Sequence, residues 1–134
     1  MNWIKRIMYN DGGRVKAGFP SSSGDCVVRA LSILTGTEYE SVRTTLQIYI
    51  ARERGSRSDV ENGVYPKTYK KFLKTVDVLG WRNVTKWEQV PTEGKLMVVL
   101  GAHVVAVIDG VIHDTFDPVD AEHCGKIFGY YRLN

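Results

Sequence analysis

The 134-residue chain is poor in cysteine, histidine and proline, with two, three and four of them respectively. It has no apolar run approaching the ~18 residues needed to cross a bilayer. Met1–Met8 lacks the apolar core of a secretory signal. A membrane protein and a disulfide-stapled secreted protein are therefore not expected, and the expected location is the cytoplasm. In that compartment Cys26 and Cys124 are free thiols rather than a bridge. No Cys-x-x-Cys pair occurs, and neighbours such as His123 and Cys124 diverge in direction, so a zinc site built with His113 is not expected. No cofactor motif, internal repeat or low-complexity segment is present.

With 43% hydrophobic and 25% charged residues, residues 1–134 are expected to fold as one domain around a single core. The net charge of +3 and pI of about 8.9 are mild. Arg52, Arg54, Arg57, Lys67, Lys70 and Lys71 gather in one region, but Glu53, Asp59 and Glu61 are interspersed. That mixture reads as a solvated face, and nucleic acid is not an expected partner.

The first half of the chain has helical periodicity. Trp3–Tyr9 suggests a short strand and Asn10-Asp11-Gly12-Gly13 a turn, after which Gly18–Gly24 forms a loop ending at Asp25-Cys26. From Cys26, apolar residues Val27, Ala30, Leu31 and Leu34 recur at helical steps; Asp25 is the expected N-cap and Gly36 the stop. Thr37-Glu38-Tyr39-Glu40 reads as a capping box for a second helix with Tyr39, Val42, Leu46 and Tyr49 or Ile50 inside, fading near Gly55. Pro66 then opens a third helix carrying Tyr69, Phe72, Leu73 and Val76.

After Gly80-Trp81 the pattern turns to β-branched residues: a weak segment at Val84–Trp87, then Lys95–Leu100, Val104–Ile108, Val111–Thr115 and Ile127–Leu133. Asp109-Gly110 between two apolar runs signals a two-residue hairpin turn. Helices first and an antiparallel sheet second is the α+β arrangement.

An ordinary thiol is only roughly 3% thiolate at neutral pH, so a nucleophilic cysteine needs an activating environment. A helix start supplies unpaired N–H groups and a favourable dipole, and Cys26 stands at one. A histidine held on a rigid element and oriented by a third group supplies the rest. If Asp109-Gly110 is the turn, Ile108 pairs with Val111, Val107 with Ile112, Val105 with Asp114 and His103 with Phe116. His103 and Asp114 then share a face as diagonal neighbours, roughly 7 to 8 Å apart along the backbone, while His113 points the other way. Asp117, in the turn Asp117-Pro118, is the fallback orienting acid. Cys124 has no helix start to activate it and reads as a core or loop thiol.

A helix-borne Cys, then a strand-borne His, then an acid on the next strand resembles the order of papain-like cysteine peptidases and their small bacterial relatives. The resemblance implies a papain-like fold, with Cys26 as nucleophile, His103 as general base and acid, and Asp114 in the orienting place that Asn holds in papain itself. The chain is also similar to a family of small bacteriophage and prophage proteins. The matching segments are Tyr9–Arg14, Gly24–Ala30, Gly63-Val64, Gly80-Trp81, His103, Val107–Thr115, Asp117-Pro118 and Gly129-Tyr130. One departure concerns the oxyanion donor: papain-like peptidases place a Gln about six residues before the nucleophile, where this chain has Pro20. The Cys26 N–H together with Asn10 or Ser21 is the expected substitute.

The expected function is cysteine-dependent hydrolysis, of peptidase, amidase or acyltransferase type, acting on a host or phage protein. The rival is a papain-like scaffold, weakly active or inactive, that binds a host protein. The Arg52–Asn62 loop is the expected substrate-contacting edge.

Overall fold

The computed structural model describes residues 3–22, 24–55 and 58–134. Met1, Asn2, Ser23, Ser56 and Arg57 lie outside them, so the basic cluster above is described without Arg57 and the Arg52–Asn62 loop in part. Among the described residues three α-helices and six strands follow in the order expected of an α+β chain.

Helix α1 (Cys26–Thr35) forms because its apolar residues leave almost no polar face: Val27, Val28, Ala30, Leu31 and Leu34 are all buried. It ends where Gly36 adopts φ 69° and donates its N–H to the Ser32 carbonyl, a left-handed cap that a Cβ would strain. Helix α2 (Tyr39–Arg54) buries Tyr39, Val42, Leu46 and Ile50, the stripe read from the sequence, and stops at Gly55. Helix α3 (Pro66–Leu73) begins on Pro66 and buries Tyr69, Phe72 and Leu73, with Val76 beyond its end. Two expected caps are not made. Asp25 precedes α1 without a side-chain cap bond, and the Thr37 hydroxyl pairs with that of Thr35 instead of opening a capping box.

The strands are β1 (Ile7–Tyr9), β2 (Val78–Asn83), β3 (Lys95–Leu100), β4 (His103–Ile108), β5 (Val111–Asp114) and β6 (Ile127–Leu133), ordered β1-β5-β4-β3-β6-β2. The sheet is mixed rather than antiparallel, because β1 lies parallel to β5 with Tyr9 opposite Asp114, whereas every other pairing is antiparallel. The second strand also falls earlier than expected: Val78–Asn83 pairs with β6, and Trp87–Gln89 is a turn of 3₁₀ helix.

The β4–β5 hairpin has the expected register, with Ile108 opposite Val111, Val107 opposite Ile112 and Ala106 opposite His113. Its turn takes φ 48° at Asp109 and 80° at Gly110, the doubly left-handed geometry that Asp-Gly accommodates. Strand β5 stops at Asp114, so Phe116 does not pair with His103 in the ladder.

Alternation gives the sheet two apolar faces. Met97, Val104, Ala106 and Leu133 join the helices in one core, and Leu96, Val98, Leu100, Val105, Val107 and Ile112 join Cys124, Val84 and Val90 in the other. Among the described residues no helix is long and apolar enough to cross a membrane.

Candidate active site

Three element ends meet at one edge of this sandwich: α1 begins at Cys26, β4 begins at His103 and β5 ends at Asp114. Strand alternation puts His103 and Asp114 on the face opposite α1. At the end of the sheet, however, Asp114 reaches the helix at Arg29, and the imidazole lies near enough to Cys26 for each to shift the other's pKa. The parallel edge strand matters here, because the Asn10 N–H donates to the Asp114 carbonyl at 3.0 Å and fixes the end of β5 from its open side.

His103 is buried and its Nε2 pairs with Asp114 Oδ2 at 2.7 Å, which leaves Nδ1 as the ring nitrogen available to the thiol. The Phe116 ring packs beside the imidazole, with centroids 5.2 Å apart. Burial alone would lower the His103 pKa, but the hydrogen bond to Asp114 and the interaction with Cys26 outweigh it and raise it to about 9. Burial alone would raise the Cys26 pKa; the hydrogen bond and charge of His103 reverse this, aided by the Val104 backbone and the Arg29 charge, so the thiol falls below its ordinary value. Opposite shifts in a facing thiol and imidazole favour a thiolate–imidazolium pair.

Behind the pair runs a buried ionic chain. Arg29 donates through Nη1 to Asp25 Oδ1 and through Nη2 to Asp114 Oδ1 at 3.3 Å. Asp25, fully buried, also accepts the Tyr39 hydroxyl at 2.8 Å and lies 3.7 Å from Arg14. Burial and this hydrogen bond push Tyr39 up to about 12, so it remains a phenol donor. Arg43 donates to the Tyr39 hydroxyl at 3.0 Å and lies over the Phe19 ring at 4.3 Å, fastening the loop that leads to Cys26. The expected Arg52–Asn62 loop instead begins within α2 and ends in a 3₁₀ turn, Val60–Asn62, whose Glu61 joins this assembly by accepting from Ser22 at 3.1 Å and lying 3.6 Å from Arg43.

The other sequence candidates lie elsewhere. Asn10 Oδ1 accepts the Gly12 N–H at 2.9 Å and its amide nitrogen meets His113 Nδ1 at 3.2 Å, so the side chain closes its loop against His113. Asp117 is engaged by Lys5 at 2.5 Å and by the Val119 N–H at 2.9 Å, not by His103. Ser21 is exposed. The gap beside Cys26 has no room for a water molecule; Arg29, Ala30, Val104, Ala106, His113 and Asp114 line it, with no amide side chain among them and without His103. Cys124 is wholly buried and pushed up to about 11, chiefly by burial.

A larger cavity, about 470 Å³, opens at the far end of the hairpin between Trp3, Arg6, Glu88, Pro91 and Asp109; it contains no cysteine or histidine. Among the described residues no group of three or more His, Cys, Asp or Glu converges on a metal-sized site.

Sequence reasoning missed the ionic chain. Its signal was a charged residue, Arg29, inside the apolar run Val27–Leu34, spaced four residues from Asp25 so that both share a helix face. No family model, curated protein or solved structure matches the chain.

Proposed function

We propose that this protein is a papain-like cysteine hydrolase, phage-encoded, that cleaves an amide bond in a host or phage protein through an acyl-enzyme. The observation that carries the reading is the His103–Asp114 pair at 2.7 Å, with the remaining ring nitrogen left for a thiol at the first residue of a helix. The Cys26 proton passes to His103, and the thiolate attacks the carbonyl carbon. The tetrahedral oxyanion forms beside the N–H groups at the start of α1. As it collapses, the imidazolium returns the proton to the departing amine, leaving a thioester on Cys26. The neutral imidazole then takes a proton from water, hydroxide displaces the thiolate, and a carboxylic acid leaves. Asp114 keeps the ring oriented throughout.

One observation favours a second reading, in which the same scaffold holds a host protein without efficient turnover. Asn10 is held by Gly12 and His113, no amide among the described residues lines the gap beside Cys26, and loss of one oxyanion donor costs about 100- to 1,000-fold in rate.

Acylation by p-nitrophenyl acetate at pH 6.5, followed by intact mass and peptide mapping, separates the two. The hydrolase reading expects an acetyl group on Cys26 that turns over, and about 100-fold slower acylation in His103→Ala. Acylation of Cys26 no faster than in the denatured chain would sink it.

A further inference from the structure

Arg29 is only 7% exposed, and a buried guanidinium is tolerable only when its charge and donors are met. The two carboxylates that meet them belong to different parts of the site. Asp25 immediately precedes the nucleophile, whereas Asp114 holds the imidazole from the sheet. We propose that Arg29 is a positioning residue: its forked guanidinium ties the acid that orients His103 to the helix that carries Cys26 and supplies the charge that keeps the thiolate–imidazolium pair balanced. The inference deepens the hydrolase reading of this site and rests on it.

Charge alternates along the chain of contacts: Arg14, Asp25, Arg29, Asp114, His103, Cys26. With the thiol ionised and the imidazole protonated, three positive groups match three negative ones. The other titratable and charged groups beside this chain are Tyr39 and Arg43 from α2, Tyr69 from α3, His113 from β5 and Cys124 from the second core. Burial holds His113 toward its neutral form and pushes Tyr39 and Tyr69 to about 12 and Cys124 to about 11, while Arg43 is held on the Tyr39 hydroxyl and the Phe19 ring, so none of them replaces the Arg29 charge near neutral pH. Without Arg29 the site carries one excess negative charge. A thiolate then forms only at higher pH, and the imidazolium persists to higher pH, so both limbs of the reactivity profile move alkaline. A merely structural arginine would lower reactivity by the same factor at every pH.

The test is the second-order rate of Cys26 alkylation by iodoacetamide from pH 5 to 10, resolved from Cys124 by peptide mapping, in wild type, His103→Ala, Arg29→Gln and Arg29→Lys. Arg29→Gln keeps donors and loses charge; its rate is expected to fall about tenfold at pH 6, one unit of pKa, and to rejoin wild type near pH 9. Arg29→Lys keeps the charge and loses the fork, so its limbs should stay in place while its plateau drops. If circular dichroism shows that Arg29→Gln does not fold, the lysine variant decides. A lysine variant with displaced limbs, or with the full wild-type plateau, would overturn the proposal. So would a glutamine variant unchanged or uniformly slowed at every pH, while wild type kept the low-pH reactivity that His103→Ala abolishes; that result leaves the hydrolase reading standing. An ordinary thiol profile in wild type would overturn both.

Discussion

Replacing Asp114 by Asn separates the shape of the orienting acid from its charge. Oδ2 of Asp114 holds His103 Nε2 at 2.7 Å, while Oδ1 accepts from Thr115 N–H at 2.7 Å and from Arg29 at 3.3 Å. Asparagine offers one oxygen and one NH₂ in the same outline. If its oxygen stays with His103, the NH₂ confronts two donors, and a buried Arg29 arm and a backbone N–H lose their acceptor, at a cost of about 1–3 kcal/mol for each group left unpaired. If the amide flips, its NH₂ faces Nε2, which must then be unprotonated, and the imidazole proton moves to Nδ1. That is the nitrogen required to accept the thiol proton. Arg29 stands against the same carboxylate and makes the exchange costly.

The magnitude follows from the ionisation of the pair. Asp114 is the largest influence raising His103, which reaches about 9 against burial. With the imidazole returned toward 6.5 and the thiol toward about 8.5, the thiolate fraction at pH 6 falls to roughly 0.3%. Alkylation of Cys26 by iodoacetamide at pH 6 should therefore slow about 100-fold in Asp114→Asn, while at pH 9.5 the variant should come within about threefold of wild type. The rate is measured over that range by quenched mass spectrometry, with thermal unfolding recorded in parallel. A folded Asp114→Asn protein whose pH 6 rate matched wild type would refute the reasoning, since the carboxylate charge would then have no hold on the thiol.

Gly24 takes φ 67°, and a Cβ there would lie 2.6 Å from the Glu61 carbonyl oxygen, whereas Gly36, at φ 69°, has open space around it. Gly24→Ala should thus cost more than the ~1–2 kcal/mol of left-handed backbone strain expected for Gly36→Ala. Equal melting temperatures for the two variants would contradict the close packing of that loop. Cys124, wholly buried and pushed up to about 11, should be alkylated only as the native chain unfolds, and joint labelling with Cys26 at pH 7 would argue against that burial. His103 is raised in the fold, so its stabilisation is fully present below about 6.5 and is lost as pH rises toward about 9. In a Cys26→Ala background, where no thiol titrates at that site, the difference in urea stability between His103 and His103→Gln should shrink across that interval, by at most about 3 kcal/mol. A gap that stays constant from pH 6 to 10 would show that the histidine's charge is not stabilised by the fold.

Local signals were sufficient wherever a single element decided the outcome. The α1 stripe, the Gly36 stop, the α2 inner face and the Asp109-Gly110 turn follow from periodicity and glycine conformation, and the hairpin register places Asp114 beside His103 by counting outward from the turn. Long-range pairings were not legible. Nothing local in Ile7–Tyr9 specifies a parallel partner a hundred residues away, and Val78–Asn83 lacks clean alternation because the strand lies at an edge with most of its residues exposed. The ionic chain was hidden for the same reason. Asp25 has the sequence signature of an N-cap, and only the folded arrangement of Arg29, Tyr39 and Arg14 shows where its oxygens go.

That diversion bears on the chemistry. An Asp at this position would ordinarily accept an N–H from the first turn and stabilise the helix by about 1 kcal/mol. Here its carboxylate is committed to Arg29, Arg14 and Tyr39, and makes no cap bond to α1. Backbone donors at the start of a helix have no intrahelical acceptor, so their field acts on whatever anion lies nearest. The residue placed there is Cys26; in the proposed hydrolase its sulfur would carry negative charge before attack, and the substrate oxygen would carry it afterwards. A capping carboxylate would oppose both charges at close range; the same carboxylate drawn behind the helix and neutralised by two guanidiniums does not. The ionic chain therefore has a second consequence besides orienting His103: it removes from the helix start a side chain that would otherwise compete with a thiolate for its N–H groups.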